Sequence, residues 1–186
     1  AAALLFATAG AQIQTALADK LLRLHVIANS DSVEDQALKL KVRDSVLREV
    51  ELLTADAGAV STARQEVEAG LATIQKAAED VIAEEGYSYD VQLSLSETYF
   101  PTKDYGGFAL PEGRYDALRV IIGEGEGQNW WCVLFPPFCT TAAFEEEAVA
   151  AGLDSDEIRL MSSDGAYELR FRLVEWVSRL RELLGI

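Results

Sequence analysis

The chain has 186 residues, 49% of them hydrophobic and 25% charged, with a formal net charge of −15. That is enough chain and enough apolar content to fold around a core, and it argues against a disordered acidic tail. The charge argues against nucleic acid and bare anionic membrane as partners, and fits a basic protein partner or the solubility of an exported domain.

No run reaches the roughly 20 apolar residues that cross a bilayer. The start, Ala1 to Gly10, is apolar and carries Ala7-Thr8-Ala9, a small-x-small pattern like a signal-peptidase site. Residues 1–19 are read as the remnant of an export signal or anchor with a linking helix, and 20–186 as a single domain. The other reading of the start is an apolar first turn of a helix that continues through Ile13 and Leu17.

Leu21 to Ala28 reads as a strand, with Leu22, Leu24 and Val26 on one face. Asn29-Ser30-Asp31 breaks it. Ser32, three residues before Asp35, marks a capping-box-like helix start. Leu38, Val42, Val46, Val50 and Leu53 then recur at helical spacing and predict a helix over 33–53. Asp35/Lys39 and Asp44/Arg48 are placed for i,i+4 ion pairs on its wet face. Val60 to Val81 predicts a second amphipathic helix, ended near Gly86. Tyr89, Val91, Leu93 and Leu95 alternate with polar residues, as in a strand with one face in water.

Phe100 to Gly113 is a loop by composition. Leu118, Val120 and Ile122 mark a strand, Gly123 to Gly127 a turn, and Trp130 to Phe135 the return strand of a hairpin, stopped by Pro136-Pro137. Its faces are both apolar, which predicts a central strand. An acidic helix is expected at 141–151. Ile158 to Leu160 and Tyr167 to Leu173 flank Ser163-Asp164-Gly165 as a second hairpin, and Trp176 to Leu184 closes the chain as a helix. The sum is an α+β two-layer sandwich, a mixed sheet with hairpins and about four helices.

Chemistry is hard to assemble from these residues. His25 is the single histidine, and a nucleophile–base pair would have to run through it. It reads as a polar-face residue. Asp31, Glu34 and Asp35, with Asn29, could face a cation, but carboxylates at a helix start already favour the helix dipole, so capping is the reading and no metal or cofactor is assigned. Gly123, Gly125 and Gly127 lack the lysine and following helix of a phosphate cradle, and Glu124 and Glu126 would repel an anion. Cys132 and Cys139 fit either a disulfide in an exported chain or two buried thiols. Trp130 and Trp131 put one indole on each side of their strand.

Leu21 to Leu47 (LLRLHVIANSDSVEDQALKLKVRDSVL) resembles the signature of the stage II sporulation protein R family, through Val26, Ala28, Asn29, Ser30, Asp31, Asp35, Gln36, Leu38, Lys39, Val42, Arg43 and Asp44. Two further blocks are similar: Phe100 to Gly106 with Pro111 to Tyr115, and Asn129 to Cys139 (NWWCVLFPPFC). Glu168 to Arg172 and the helix after it complete a collinear likeness from about 20 to 184. The resemblance implies a secreted sporulation signal and not an enzyme. It implies export from the forespore into the intermembrane space, and activation there of a membrane-embedded aspartic protease that processes pro-sigma factor E. The expected partner is the outer domain of that protease, with no nucleic acid and no small-molecule substrate. Candidate partner-binding residues are Asn29, Asp31, Asp35, Lys39, Arg43, Tyr105, Phe108, Trp130 and Trp131. Of these, Tyr105 and Phe108 are expected to be exposed on their loop. The rival readings are an exported cell-wall hydrolase, for which Glu97 with Asp104 or Asp31 with Asp35 would be the carboxylates, and a small-ligand module lined by Trp130 or Tyr105.

Overall fold

The strand after residue 20 forms as its apolar alternation requires, and a four-stranded sheet extends on both sides of it. In the computed structural model, which describes residues 14–105, 108–137, 148–149 and 152–161, β1 spans Leu22–Ile27 and is buried along its whole length. The helix α1 follows at Val33–Leu53. It begins where Ser32, in extended backbone, accepts a hydrogen bond from the amide of Asp35 (3.1 Å). The helices α2 (Val60–Ala69) and α3 (Leu71–Glu84) replace the single helix expected over this stretch. The break falls at Gly70, where a Cβ would lie 2.4 Å from Leu53 Cδ1, so any larger residue would need that side chain of α1 to move.

The remaining strands are β2 (Val91–Phe100), β3 (Lys103–Asp104), β4 (Ala109–Leu110), β5 (Gly113–Ile122) and β6 (Asn129–Phe135). The chain divides into two compact units, residues 21–98 with 115–141, and residues 1–20, 99–114 and 142–186. In the first, the mixed sheet runs in the order β2-β5-β1-β6, with β1 parallel to β5 and antiparallel to β6. One face, formed by Leu22, Leu24, Val26, Leu118, Val120, Ile122 and Cys132, packs on Leu38, Val42, Val46, Val50, Val67, Ile74, Ala78 and Ile82 of the helices. This is the α+β layer predicted from the sequence.

The sheet order corrects the expected hairpin. β5 and β6 are not neighbours, because β1 lies between them. Residues 123–128 are therefore a crossover that passes over the end of β1, with Glu126 N donating to Asn29 O (3.1 Å) and Gly127 N to Ala28 O (2.9 Å). Among the described residues β6 pairs with β1 alone, in place of the central position expected, and its apolar faces have local causes described below.

In the second unit, β3 and β4 pair across two residues inside the stretch expected as loop. Tyr99 donates its hydroxyl proton to Glu112 (2.6 Å), and Thr102 Oγ1 accepts from Glu112 N. The helix α4 spans Ser155–Met161, where Ile158 to Leu160 reads as a strand in the sequence. Asp154 decides for helix, its carboxylate accepting from the amides of Asp156 and Glu157 (both 2.9 Å). Lys20 Nζ joins this unit by pairing with Glu157 at 2.7 Å. Residues 14–18 and 148–149 are helical. The export-like start, most of the acidic 141–151 segment, the 163–173 hairpin and the closing helix lie outside the described residues. No helix among the described residues is long and apolar enough to cross a membrane.

Candidate functional site

The polar block that ends β1 and begins α1 folds into one hydrogen-bonded cluster. Asp35 is its centre and is 4% exposed. Its Oδ2 accepts from Asn29 Nδ2 (2.9 Å) and from the Ser30 hydroxyl (2.5 Å), and the Tyr89 hydroxyl adds a further hydrogen bond. Burial pushes this carboxyl upward, but the hydrogen bonds from Ser30, Asn29, Tyr89 and Ser32 outweigh it and hold Asp35 below the usual carboxylate range. Burial and the same contact raise the Tyr89 phenol.

The crossover closes over this cluster. Asn29 Oδ1 accepts from Glu124 N (3.0 Å), so the amide side chain donates to Asp35 and accepts from the crossover at once. Aspartate could not do both, which is the physical reason for asparagine here. Asp31 Oδ1 accepts from Gln128 N (2.8 Å). Lys39, buried, donates to Gln128 O (2.9 Å) and Gln36 Oε1 (2.6 Å), while Gln36 Nε2 donates to Ser30 O (2.8 Å). Burial lowers the Lys39 ammonium, with Asp31 opposing. Gly127 has to be glycine, since a Cβ would stand 2.2 Å from Ser30 O.

The ion pairs expected on the wet face of α1 are not made. Asp35 and Lys39 turn inward to these partners, and Asp44 pairs with Arg43 (2.6 Å) instead of Arg48. Arg43 in turn lies over the ring of Trp130, 4.3 Å from its centroid. Register places Trp130 opposite Val26, on the helix-facing side, where it remains 37% exposed. Trp131 faces the other side and stacks on His25, ring centroids 3.7 Å apart.

His25 is buried, in contrast to the polar-face position expected, and its Nε2 lies 2.7 Å from Asn129 Oδ1. Burial lowers its pKa against that hydrogen bond, with Arg119 and Arg23 lowering it further. Arg23 is also buried, its guanidinium 4.8 Å from the centre of the Tyr115 ring.

Of the sequence-predicted residues, Asn29, Asp31, Asp35 and Lys39 come together in the cluster, and Arg43 meets Trp130 one turn further along α1. Tyr105 and Phe108 stack on each other (4.8 Å), but Phe108 is 4% exposed, so its ring packs inward and is not the open anchor expected. Cys132 is disulfide-bonded, and Cys139, the other cysteine of the chain, lies outside the described residues. Among the described residues no three metal-ligating side chains gather. Sequence reasoning missed Gln36, Tyr89 and Gln128 as members of the cluster. The three glycines at 123, 125 and 127 were the available signal, since a crossover pressed on another backbone needs them as much as a turn does.

The geometry defines an α+β scaffold whose sequence blocks interlock: the block at 29–44 meets the crossover through Lys39–Gln128 and the tryptophan strand through Arg43–Trp130. Residues 18–145 match the stage II sporulation protein R family. The chain is 33% identical over 184 residues to stage II sporulation protein R of Bacillus subtilis (strain 168), covering 87% of this chain and 82% of that protein. The chain belongs to the stage II sporulation protein R family and so to the proteins of sporulation. No solved structure matches it.

Proposed function

We propose that this protein is a secreted sporulation signal that acts by binding. Exported from the forespore into the intermembrane space, it engages the outer domain of a membrane-embedded aspartic protease and switches on processing of pro-sigma factor E. The chain supplies contact, and the protease supplies the catalytic aspartates. The observation that carries this reading is family membership across residues 18–145. The geometry is compatible with it: the polar side chains of the 29–39 block hold one another and the crossover in place, as a rigid scaffold for recognition requires. The net charge of −15 favours a partner with a basic face.

Titration calorimetry of the purified chain against the purified outer domain tests the reading. Saturable binding with a single stoichiometry is expected. Absence of binding at the highest attainable concentrations contradicts it.

A further inference from the structure

Beside the Arg43–Trp130 contact, the second half of α1 and the end of β6 enclose an open cavity of about 270 Å³. Its floor is apolar, from Leu47, Val50, Leu134 and Phe135, and its rim carries Glu51 and Ala55, both exposed. Beside it the register of β6 slips between Leu22 and Arg23, so that Phe135 stands opposite Leu22 while Val133 stands opposite Arg23. One extra residue of β6 is accommodated there, and such bulges re-aim side chains and interrupt a packed face. The space is smaller than the pockets of roughly 300–1,000 Å³ that enclose drug-sized ligands, and suits one or two side chains of another protein.

We infer that this cavity is the docking site for the proposed protein partner, and that the occupant is a segment presenting an apolar side chain to the floor with a lysine or arginine beside it. The inference rests on the function proposed above and adds the surface and the chemistry. Charge complementarity selects the occupant. Arg43 is already held by Asp44 and Trp130, and Arg48, one turn before Glu51 on α1, makes no ion pair with it among the described residues. Glu51 makes no ion pair among the described residues, and the chain as a whole is strongly acidic. A cation entering with the apolar group would answer that carboxylate, while the partly open ring of Trp130 extends the contact along the seam.

The test measures binding of the full chain to the purified outer domain of the protease. Glu51→Lys reverses the rim charge and Ala55→Trp obstructs the mouth; both positions are exposed, so the melting temperature stays unchanged. Each is expected to weaken binding by about tenfold or more. Glu84→Lys on α3 makes the same change in net charge and is expected to weaken binding by less than about threefold. Wild-type binding by both rim variants, or an equal loss at Glu84, overturns the surface and leaves the function standing. No binding by the unaltered chain overturns both.

Discussion

At the scale of single residues, Asn29 shows how demanding a polar position can be through its contacts within the chain alone. It donates to one carboxylate and accepts from one amide, and the two neighbouring groups depend on it. Asn29→Asp would set two carboxylates side by side and remove a donor from Asp35. We expect it to cost about 1–3 kcal/mol at neutral pH, read from urea unfolding, with the loss shrinking as the solution becomes acid enough to protonate either group. Acid should also destabilise the unaltered protein in two stages. The His25 pKa is depressed by burial, so the unfolded chain takes up a proton more readily than the folded one. Stability is then complete above about pH 6.5 and falls as pH drops below it. Asp35 is likewise depressed, and its contribution is present above about pH 4 and lost as pH falls through the folded value. The urea midpoint measured from about pH 8 to 5 should decline below 6.5 and become flatter in His25→Gln. An unchanged slope in that variant assigns the effect elsewhere.

At the scale of elements, what is local in cause was legible in the sequence. The strand of β1, the Ser32 cap and the full extent of α1 follow from alternation, capping chemistry and helical spacing within one stretch of chain. The strand order was not legible, because the glycines of 123–127 serve a turn or a crossover equally well. Six residues separate Ile122 from Asn129, and at about 3.3 Å each they easily span the roughly 10 Å needed to step over one strand. The difference lies in the end of β1, about 95 residues away. The same limit hid the inward turn of Asp35 and Lys39, since their partners Tyr89 and Gln128 come from other elements. It also hid α4, whose short apolar run fits strand and helix alike until Asp154 caps it. Gly127→Ala tests the crossover directly. Its Cβ would meet the backbone of Ser30, and the variant should lose about 1–3 kcal/mol of stability, whereas a turn in open solvent would tolerate the change. For the short loop closed by Cys132, intact mass should rise by two hydrogens on reduction, with a stability loss of about 2–3 kcal/mol. No mass change after aerobic purification would mean free thiols.

At the scale of the whole molecule, family membership places the chain among the proteins of sporulation, and binding to another protein is what we propose for it. The family blocks at 29–44 and 129–135 are distant in sequence and adjacent in space, joined by Arg43–Trp130, with Lys39–Gln128 tying the first block to the crossover that leads into the second. As proposed here, export of this chain is what turns on the protease. The most direct measurement is cleavage of pro-sigma factor E in a non-sporulating host that makes the protease and the pro-protein, with or without this chain carrying an export signal. Cleavage is expected when the chain is exported, and little when it is withheld or kept in the cytoplasm. Equal cleavage with and without the exported chain would contradict it.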